Sequence, residues 1–361
     1  MPRNQIVYDL QREVGGSYRH ELFLFDPVKG VQRRLFETDV GRHFSPSFSA
    51  ATQRLGITHY EPCRGGKDLR ERILFLGLDR EEPARLSAFD SHDIHLASPT
   101  FNLDGTMLAV ELSHGMSHNP DVYILEIITE VLADMVFGSV RAVISNPLSI
   151  GIHLPRFFPD GSRLVYLRNY AHEDALEVCF ADLSQDGVPE SELEKVFGSC
   201  YRRRLTNNAD VVWHRPHALA LEPRSDTAFF IRGHYRFEHE QICAVSCRAD
   251  AEEDPWSAVS ITESFERIGG IFLAPDGNQL AFIGDGQLFV AARDGGDLLP
   301  VTTAEEVVSC AVFSPDSQEI AFVRAEGGTT PGLYVIDRFA RTEAELLLSP
   351  GSGSVSELLW I

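Results

Sequence analysis

Basic residues are scarce in this chain of 361 residues. Lysine and arginine number 32 against 53 aspartates and glutamates, which gives a formal net charge of −21. Nucleic acids and anionic membrane surfaces are bound through positive surface charge. The composition therefore argues against a nucleic-acid or membrane partner, and it suits a soluble acidic protein or one with a basic partner.

Cysteine motifs and long apolar runs are missing as well. None of the six cysteines belongs to a Cys-x-x-Cys motif, and several fall inside predicted strands. We interpret them as buried thiols of a reducing compartment. The sequence shows no signal-peptide pattern and no run of about 18 apolar residues that could span a membrane. These absences predict a cytoplasmic protein.

A hairpin pattern recurs along the whole chain. Its clearest copy is Leu154–Leu167, where Pro-Asp-Gly joins two apolar runs and indicates a tight turn with positive φ at Gly161. A similar turn is predicted at Gly277. The last apolar residue before each turn recurs at intervals of 40 to 64 residues, which suits a unit of four strands. These anchor residues are Phe48, Phe101, Phe157, Leu221, Leu273 and Phe313.

The two ends of the chain supply one more unit. Residues 355–361 look like a first strand that ends at Trp360, and three further strands are predicted within residues 5–36. Pairing the two ends removes the free edges of the first and last units. We therefore predict an all-β fold, a seven-bladed β-propeller that forms a single domain over residues 1–361. Its last blade combines residues 1–36 with residues 354–361.

The repeat also resembles a known family. The pattern Phe-Ser-Pro-Asp-(Gly/Ser)-x-x-(Leu/Ile)-Ala-Phe, clearest at Phe313–Phe322 and Leu273–Phe282, is similar to the TolB-type, WD40-like propeller repeat. The resemblance implies a fold rather than an activity, because TolB, the propellers of prolyl oligopeptidases and oligogalacturonate lyases share this repeat. No Gly-x-Ser-x-Gly nucleophile elbow is present, so a peptidase domain is not expected.

Histidines gather on one side of the predicted blades. The loops between second and third strands lie on this side with the links between blades, and we predict that these loops are long: Gln11–His20, Tyr60–Arg72, Ser113–Asp121, Asn169–Glu177 and Gly233–Glu240. All thirteen histidines map to this side, which we call the histidine face. The candidate ligand-binding residues at the mouth of the channel are His43, His95, His153, His214, His217, Arg168 and Arg232.

Two hypotheses for function stay open. The first is a binding or scaffolding module that uses the histidine face for a protein partner or a small ligand. The second is a metal-assisted lyase or hydrolase that acts on a small polar, sugar-like substrate at the channel mouth. The sequence identifies no catalytic residue, so it does not decide whether the protein is an enzyme.

No cofactor is expected, because no contiguous metal-ligand spacing is present. If a divalent metal is bound, His95, His153 and His217 are its candidate ligands, since neutral imidazole is a common metal ligand. The likeness to oligogalacturonate lyases implies a histidine-rich metal site built from later blades. In this chain Gly269 and Ser309 stand four residues before the anchors of those blades, so that site does not carry over.

Overall fold

The computed structural model describes residues 5–15, 17–39, 46–62, 69–78, 84–86, 94–114, 120–132, 135–145, 151–169, 176–185, 201–204, 206, 217–222, 224–233, 239–247, 258–326, 331–339, 343–349 and 353–361. In these residues all regular structure is β, with twenty-eight strands and no helix. Within this portion of the chain there is accordingly no helix long and apolar enough to cross a membrane.

The chain forms two compact units, and the first contains Met1–Asp39, His214–Val245 and Ala258–Ile361. It holds four blades of four strands each, which we number 4 to 7. Blade 4 contains β16 (Leu219–Leu221), β17 (Thr227–Arg232), β18 (Gln241–Ser246) and β19 (Val259–Ser260); blade 5 contains β20 (Ile268–Leu273), β21 (Gln279–Gly284), β22 (Gln287–Ala292) and β23 (Leu299–Pro300). Blade 6 contains β24 (Glu306–Phe313), β25 (Glu319–Glu326), β26 (Gly332–Asp337) and β27 (Glu345–Leu348); blade 7 contains β28 (Ser354–Trp360), β1 (Ile6–Val14), β2 (Ser17–Asp26) and β3 (Val31–Thr38).

The second unit, Val40–Trp213 with Ser246–Ser257, holds blades 1 to 3. Blade 1 contains β4 (Ser47–Ser49), β5 (Arg54–Pro62), β6 (Leu69–Gly77) and β7 (Ala84–Leu86); blade 2 contains β8 (Ile94–Phe101), β9 (Met107–His114), β10 (Asp121–Leu132) and β11 (Met135–Ile144); blade 3 contains β12 (Ile152–Phe157), β13 (Arg163–Asn169), β14 (Leu176–Asp182) and β15 (Tyr201–Arg204). Blades 1 and 2 form one eight-stranded sheet, because β7 pairs in parallel with β11. The fold is thus the predicted seven-bladed β-propeller, while its description as a single domain stays a prediction.

Blade 7 is built from both ends of the chain, as predicted. Strand β28 pairs with β1 in antiparallel register from Ile6 and Trp360 onward. The backbones of Gln5 and Ile361 exchange two hydrogen bonds of 3.0 and 2.9 Å. Val355 and Trp360 are buried in a cluster with Ile6, so the exchanged strand contributes to a shared hydrophobic core.

One predicted long loop is a tight turn, and the loop predicted at Tyr60–Arg72 is shorter than expected, because β5 and β6 pair as far as Pro62 and Leu69. Residues Gln11–His20 were expected to form a long loop, but β1 and β2 run on to the pair Val14 and Ser17. The turn between them contains Gly15, whose φ is +62°, and Gly16 follows it in the sequence. Two glycines between strands are a signal for a two-residue hairpin, since both can adopt positive φ without steric cost.

The turns between first and second strands define the opposite side of each blade, which we call the turn face. Gly161 and Gly277 have φ values of +71° and +73°, which confirms the predicted turn type. These turns also pack on the preceding blade. A Cβ on Gly161 would lie 3.1 Å from the side-chain nitrogen of Asn102, and one on Gly277 would lie 3.0 Å from a carboxylate oxygen of Glu222.

Candidate functional site

On the histidine face, the first strand of several blades contains a β-bulge. The pairing with the second strand shifts two to four residues before the anchor in blades 2, 3, 5 and 6. Ser98 and Leu154 take φ values near +50° at two of these bulges. A bulge disrupts the regular ladder and changes the direction of nearby side chains. The bulges therefore point the side chains at the starts of the first strands in directions that a regular strand would not allow.

In the second unit, the bulge of blade 3 is held by a glutamate from blade 2. Glu111 on β9 accepts a 3.0 Å hydrogen bond from the backbone N–H of Leu154, and its other oxygen lies 3.4 Å from His153 Nδ1. Burial alone would raise the pKa of Glu111, but His153 and the Leu154 N–H outweigh burial and lower that pKa. The hydroxyl of Thr58 in blade 1 holds the bulge of blade 2 in a similar way, since it accepts the N–H of Ser98 at 3.2 Å.

In the first unit, a second imidazole–carboxylate pair joins blades 4 and 7. His217 Nε2 lies 3.0 Å from Glu357 Oε2. The His217 carbonyl accepts a 2.9 Å hydrogen bond from Ile271, and the imidazole packs against the Phe272 ring with 4.8 Å between centroids. The side chain of His217 is 31% exposed, whereas that of Glu357 is only 11% exposed. The imidazole is therefore held by two contacts, with Glu357 and Phe272, and is still partly exposed to a ligand.

Buried polar groups continue from this pair into blade 7. Asp9 on β1 is the cross-strand partner of Glu357 and is fully buried. Its Oδ2 accepts a 2.7 Å hydrogen bond from the hydroxyl of Ser356 and lies 3.6 Å from His20 Nδ1. Nearby, Cys310 is a buried thiol whose pKa is raised, chiefly by burial and further by the charges of Glu357 and Asp9.

The other predicted site residues are scattered. His95 lies on β8, and its Nδ1 is 3.4 Å from the backbone N–H of Glu71. Arg168 is buried on β13, and Arg232 is half-buried at the end of β17. His43 and His214 lie outside the described residues. Among the residues that the structure describes, no group of three or more His, Cys, Asp or Glu side chains is placed to hold a metal ion.

The sequence prediction found the two imidazoles but missed their carboxylate partners. We count positions in each second strand from the residue that pairs with the anchor of the first strand. The fourth position is aliphatic in blades 3 to 6, where it is Leu167, Ile231, Ile283 and Val323. The same position holds Thr58, Glu111 and Asp9 in blades 1, 2 and 7. A polar residue at a position that is otherwise aliphatic is the signal that could have identified two of the three carboxylates.

Comparison with solved structures identifies related folds. Over 99% of both chains, the protein superposes on the periplasmic gluconolactonase PpgL of Pseudomonas aeruginosa with a TM-score of 0.58 and 17% identity. TolB from Acinetobacter baumannii gives a TM-score of 0.51 and 17% identity over 99% of this chain and 82% of that one. An oligogalacturonate lyase in complex with manganese gives 0.59 and 12% identity over 94% and 98%.

These likenesses confirm the resemblance to TolB-type and oligogalacturonate lyase propellers at the level of the fold. At identities below 20% they show the fold alone. No protein-family model matches the chain, and no curated protein matches it significantly. The function must therefore be argued from the described residues.

Proposed function

We propose that the protein is a binding module for a small polar ligand, which it holds on the histidine face at the starts of its first strands. The observation that carries this proposal is the pair of His217 and Glu357, with 3.0 Å between Nε2 and Oε2 and an imidazole that is 31% exposed. A protein partner on the same face is the competing possibility, and it becomes an outcome of the test below.

The chemistry of the pair suits hydroxyl groups. A carboxylate that faces one ring nitrogen fixes the imidazole tautomer, and the second ring nitrogen then remains for a ligand. In His217 that second nitrogen is Nδ1. In His153 the second ring nitrogen is Nε2, but the side chain is only 13% exposed, and a Cβ on Gly151 would lie 2.5 Å from this nitrogen. His217 is therefore the more accessible of the two.

The comparisons support a hydroxylated ligand. The names of two of the similar structures, a gluconolactonase and an oligogalacturonate lyase, refer to sugar-derived compounds. The net charge of −21 supports the absence of a nucleic-acid or anionic-membrane partner.

Calorimetric titration with three linear six-carbon polyols tests the proposal: sorbitol, gluconate and glucamine. We expect at least one to bind, and we expect His217→Ala to weaken that binding about tenfold or more through the lost hydrogen bond to a charged or polar group. His239→Ala is the matched control, because His239 is an exposed histidine of the same unit. If no polyol binds, or if both variants behave alike, the proposal is wrong and a protein partner is favoured.

A second candidate function is hydrolysis of a small ester or lactone. A glutamate that orients an exposed histidine is the arrangement of a general base, which would take a proton from water as the water attacks a carbonyl carbon. The lactone C–O bond would then break, and the imidazolium would return its proton to the ring oxygen, which leaves as a hydroxyl while His217 becomes neutral again. Glu357→Gln should lower hydrolysis of glucono-δ-lactone about a hundredfold or more if His217 is the base. An unchanged rate would rule out His217 as the general base, and ligand binding without catalysis would remain the proposed function.

We also propose a cytoplasmic location. The four cysteines in the described residues, Cys179, Cys243, Cys247 and Cys310, are buried and form no disulfide, as expected for a reducing compartment. Cell fractionation tests this, and recovery in a periplasmic or extracellular fraction would contradict it.

A further inference from the structure

Two buried carboxylates lie side by side on blade 7, and within the described residues their ion-pair partners are histidines rather than lysine or arginine. Asp9 is fully buried, and Glu357 is 8% exposed. Direct cross-strand partners project from the same side of a sheet, so both carboxylates leave β1 and β28 in one direction. The charge of each also bears on the same buried thiol, Cys310, which places them around one point.

The contacts of these carboxylates leave acceptor capacity unused. Glu357 pairs with His217, and Asp9 faces Ser356 and His20. In the described residues no lysine or arginine pairs with either carboxylate, and Asp9 Oδ1 is buried with no hydrogen-bond partner there. A buried carboxylate oxygen without a donor costs free energy, and such an oxygen in a native structure calls for an explanation.

Resting on the proposed function, we infer that Asp9 determines the charge of the ligand, and that the site at His217 takes a small polyhydroxylated molecule carrying an ammonium group. The ammonium donates hydrogen bonds to Asp9 and Glu357, while His217 contacts a hydroxyl of the same molecule. An anionic ligand is disfavoured, because the carboxylates of Glu357 and Asp9 beside His217 would repel it.

An ammonium ion suits this place better than a metal ion. An ammonium group has three donors and no acceptor, so two carboxylates and a hydroxyl satisfy it. A bound metal needs several ligands converging on one point, and the described residues contain no such group of three. The reachable side of His217 provides the entry for the rest of the ligand.

The three polyols distinguish this inference from the proposed function, because they share a six-carbon chain and differ in charge. At pH 8 an unperturbed imidazole is neutral, so protonated histidines do not replace the ligand's cation. We expect glucamine, an ammonium, to bind about tenfold or more tightly than sorbitol or gluconate, the range given by one hydrogen bond between charged groups. Asp9→Asn should bring the affinities for glucamine and sorbitol close together.

Asp297→Asn is the matched control for Asp9→Asn, since Asp297 is an exposed aspartate of the same unit. If sorbitol and glucamine bind equally well and both need His217, the proposed function stands and the inference about Asp9 fails. Stronger binding of gluconate overturns the inference as well. If none of the three binds, both fail together.

Thermal unfolding distinguishes a ligand-binding role of Asp9 from a purely structural one. A carboxylate that awaits a cation destabilises the ligand-free protein, so Asp9→Asn should leave the Tm at pH 8 unchanged or raise it. A Tm several degrees lower would show that the Asp9 charge supports the fold, and would overturn the inference even if glucamine binding were lost. Glu357→Gln provides an independent second variant and should likewise reduce the preference for glucamine.

Discussion

The turn face and the histidine face of the same blades are built differently. On the turn face one device repeats, in which a turn with positive φ packs on the residue that follows the preceding anchor, as Gly105 does on Ser49 and Gly277 on Glu222. On the histidine face, the pairs of His153 with Glu111 and of His217 with Glu357 each occur at one place. Features that recur in several blades serve the common fold, whereas those that break the repeat can serve a ligand.

Ion pairs strengthen this contrast. On the turn face Arg293 reaches Glu222 at 2.9 Å and Arg338 reaches Asp276 at 2.6 Å, each from one blade to the preceding one. These carboxylates therefore have arginine partners. On the histidine face Asp9 and Glu357 face histidines and a serine instead. Glu222 and Asp276 are thus neutralised from within the chain, whereas we propose that a cation from outside the chain neutralises Asp9 and Glu357.

Deleting residues 355–361 should have the largest effect on stability, because it removes the strand that both faces of blade 7 depend on. Val355, Leu358 and Trp360 are each at least nine-tenths buried. Their burial contributes about 1.5–3 kcal/mol apiece, which together approaches the total stability of an ordinary domain of about 5–15 kcal/mol.

We expect the truncated protein to aggregate, since the exposed edge of β1 can pair with other chains. Size-exclusion chromatography and thermal unfolding measure this outcome. A monomer with an unchanged Tm would contradict the role of the exchanged strand.

Replacing a glycine on the turn face by alanine should destabilise the protein more than the same change at a glycine with a similar φ and no close neighbours. Gly105 and Gly286 have φ values of +71° and +83°. Alanine at Gly286 has nothing within 4 Å of its Cβ, so it carries only the backbone cost of about 1–2 kcal/mol. Alanine at Gly105 would also collide with the side chains of Ser49 and Thr52. Chemical denaturation should show a larger loss for Gly105→Ala, and equal losses would mean that the turn does not pack on the preceding blade.

The difference between the two faces also explains what the sequence could predict. The Pro-Asp-Gly turns and the apolar anchors are local signals that recur, so the blades, the closure and the positive φ at Gly161 and Gly277 could be predicted. The pairing of β7 with β11 was not predicted, because it joins the outer strands of two blades rather than neighbours within one repeat.

The partners of the histidines were missed for a related reason. His153 and Glu111 are 42 residues apart, and His217 and Glu357 are 140 residues apart. Such contacts depend on how blades pack and on how bulges direct the first strands, and neither is encoded in a single copy of the repeat. His153 and His217 could be predicted as candidate site residues from the sequence, but the carboxylates that pair with them could be identified only from the structure.

Glu111 should make the free energy of unfolding depend on pH, with an effect of intermediate size. Its pKa is lowered in the folded protein, so its contribution to stability is present above the unfolded-state pKa and is lost as the pH falls through the folded-state pKa. Glu111→Gln should lower the free energy of unfolding at pH 7 by about 1–3 kcal/mol, the typical effect of a lost hydrogen bond to a charge.

The difference in free energy of unfolding between wild type and Glu111→Gln should disappear as the pH falls below 4.5, the ordinary pKa of glutamate. Urea denaturation at pH 7 and at lower pH values measures it. Glu266→Gln, at an exposed glutamate, is the control and should follow the wild type. A gap that stays constant with pH would show that the Glu111 charge does not act on stability.

The smallest effect on stability is expected for the triple variant His95→Ala, His153→Ala and His217→Ala. His95 makes a single long contact of 3.4 Å, His217 is partly exposed, and Glu111 keeps the N–H of Leu154 after His153 is removed. Partly exposed ion pairs contribute about 0–1 kcal/mol, so the Tm should fall by only a few degrees. Ligand binding should nevertheless be lost.

The pH dependence of that binding then separates three ligand classes. An anion should bind more tightly as imidazoles become protonated below about pH 6.5, whereas a metal ion or an ammonium should bind less tightly. Titrations of manganese, gluconate and glucamine at about pH 5.5 and 7.5 give the sign for each. Since Glu357 pairs with His217 and has Asp9 as its cross-strand partner, we expect glucamine to bind most tightly of the three, and more tightly at the higher pH. A triple variant that binds glucamine as well as the wild type, with the same pH dependence, would show that the histidine face does not bind the ligand.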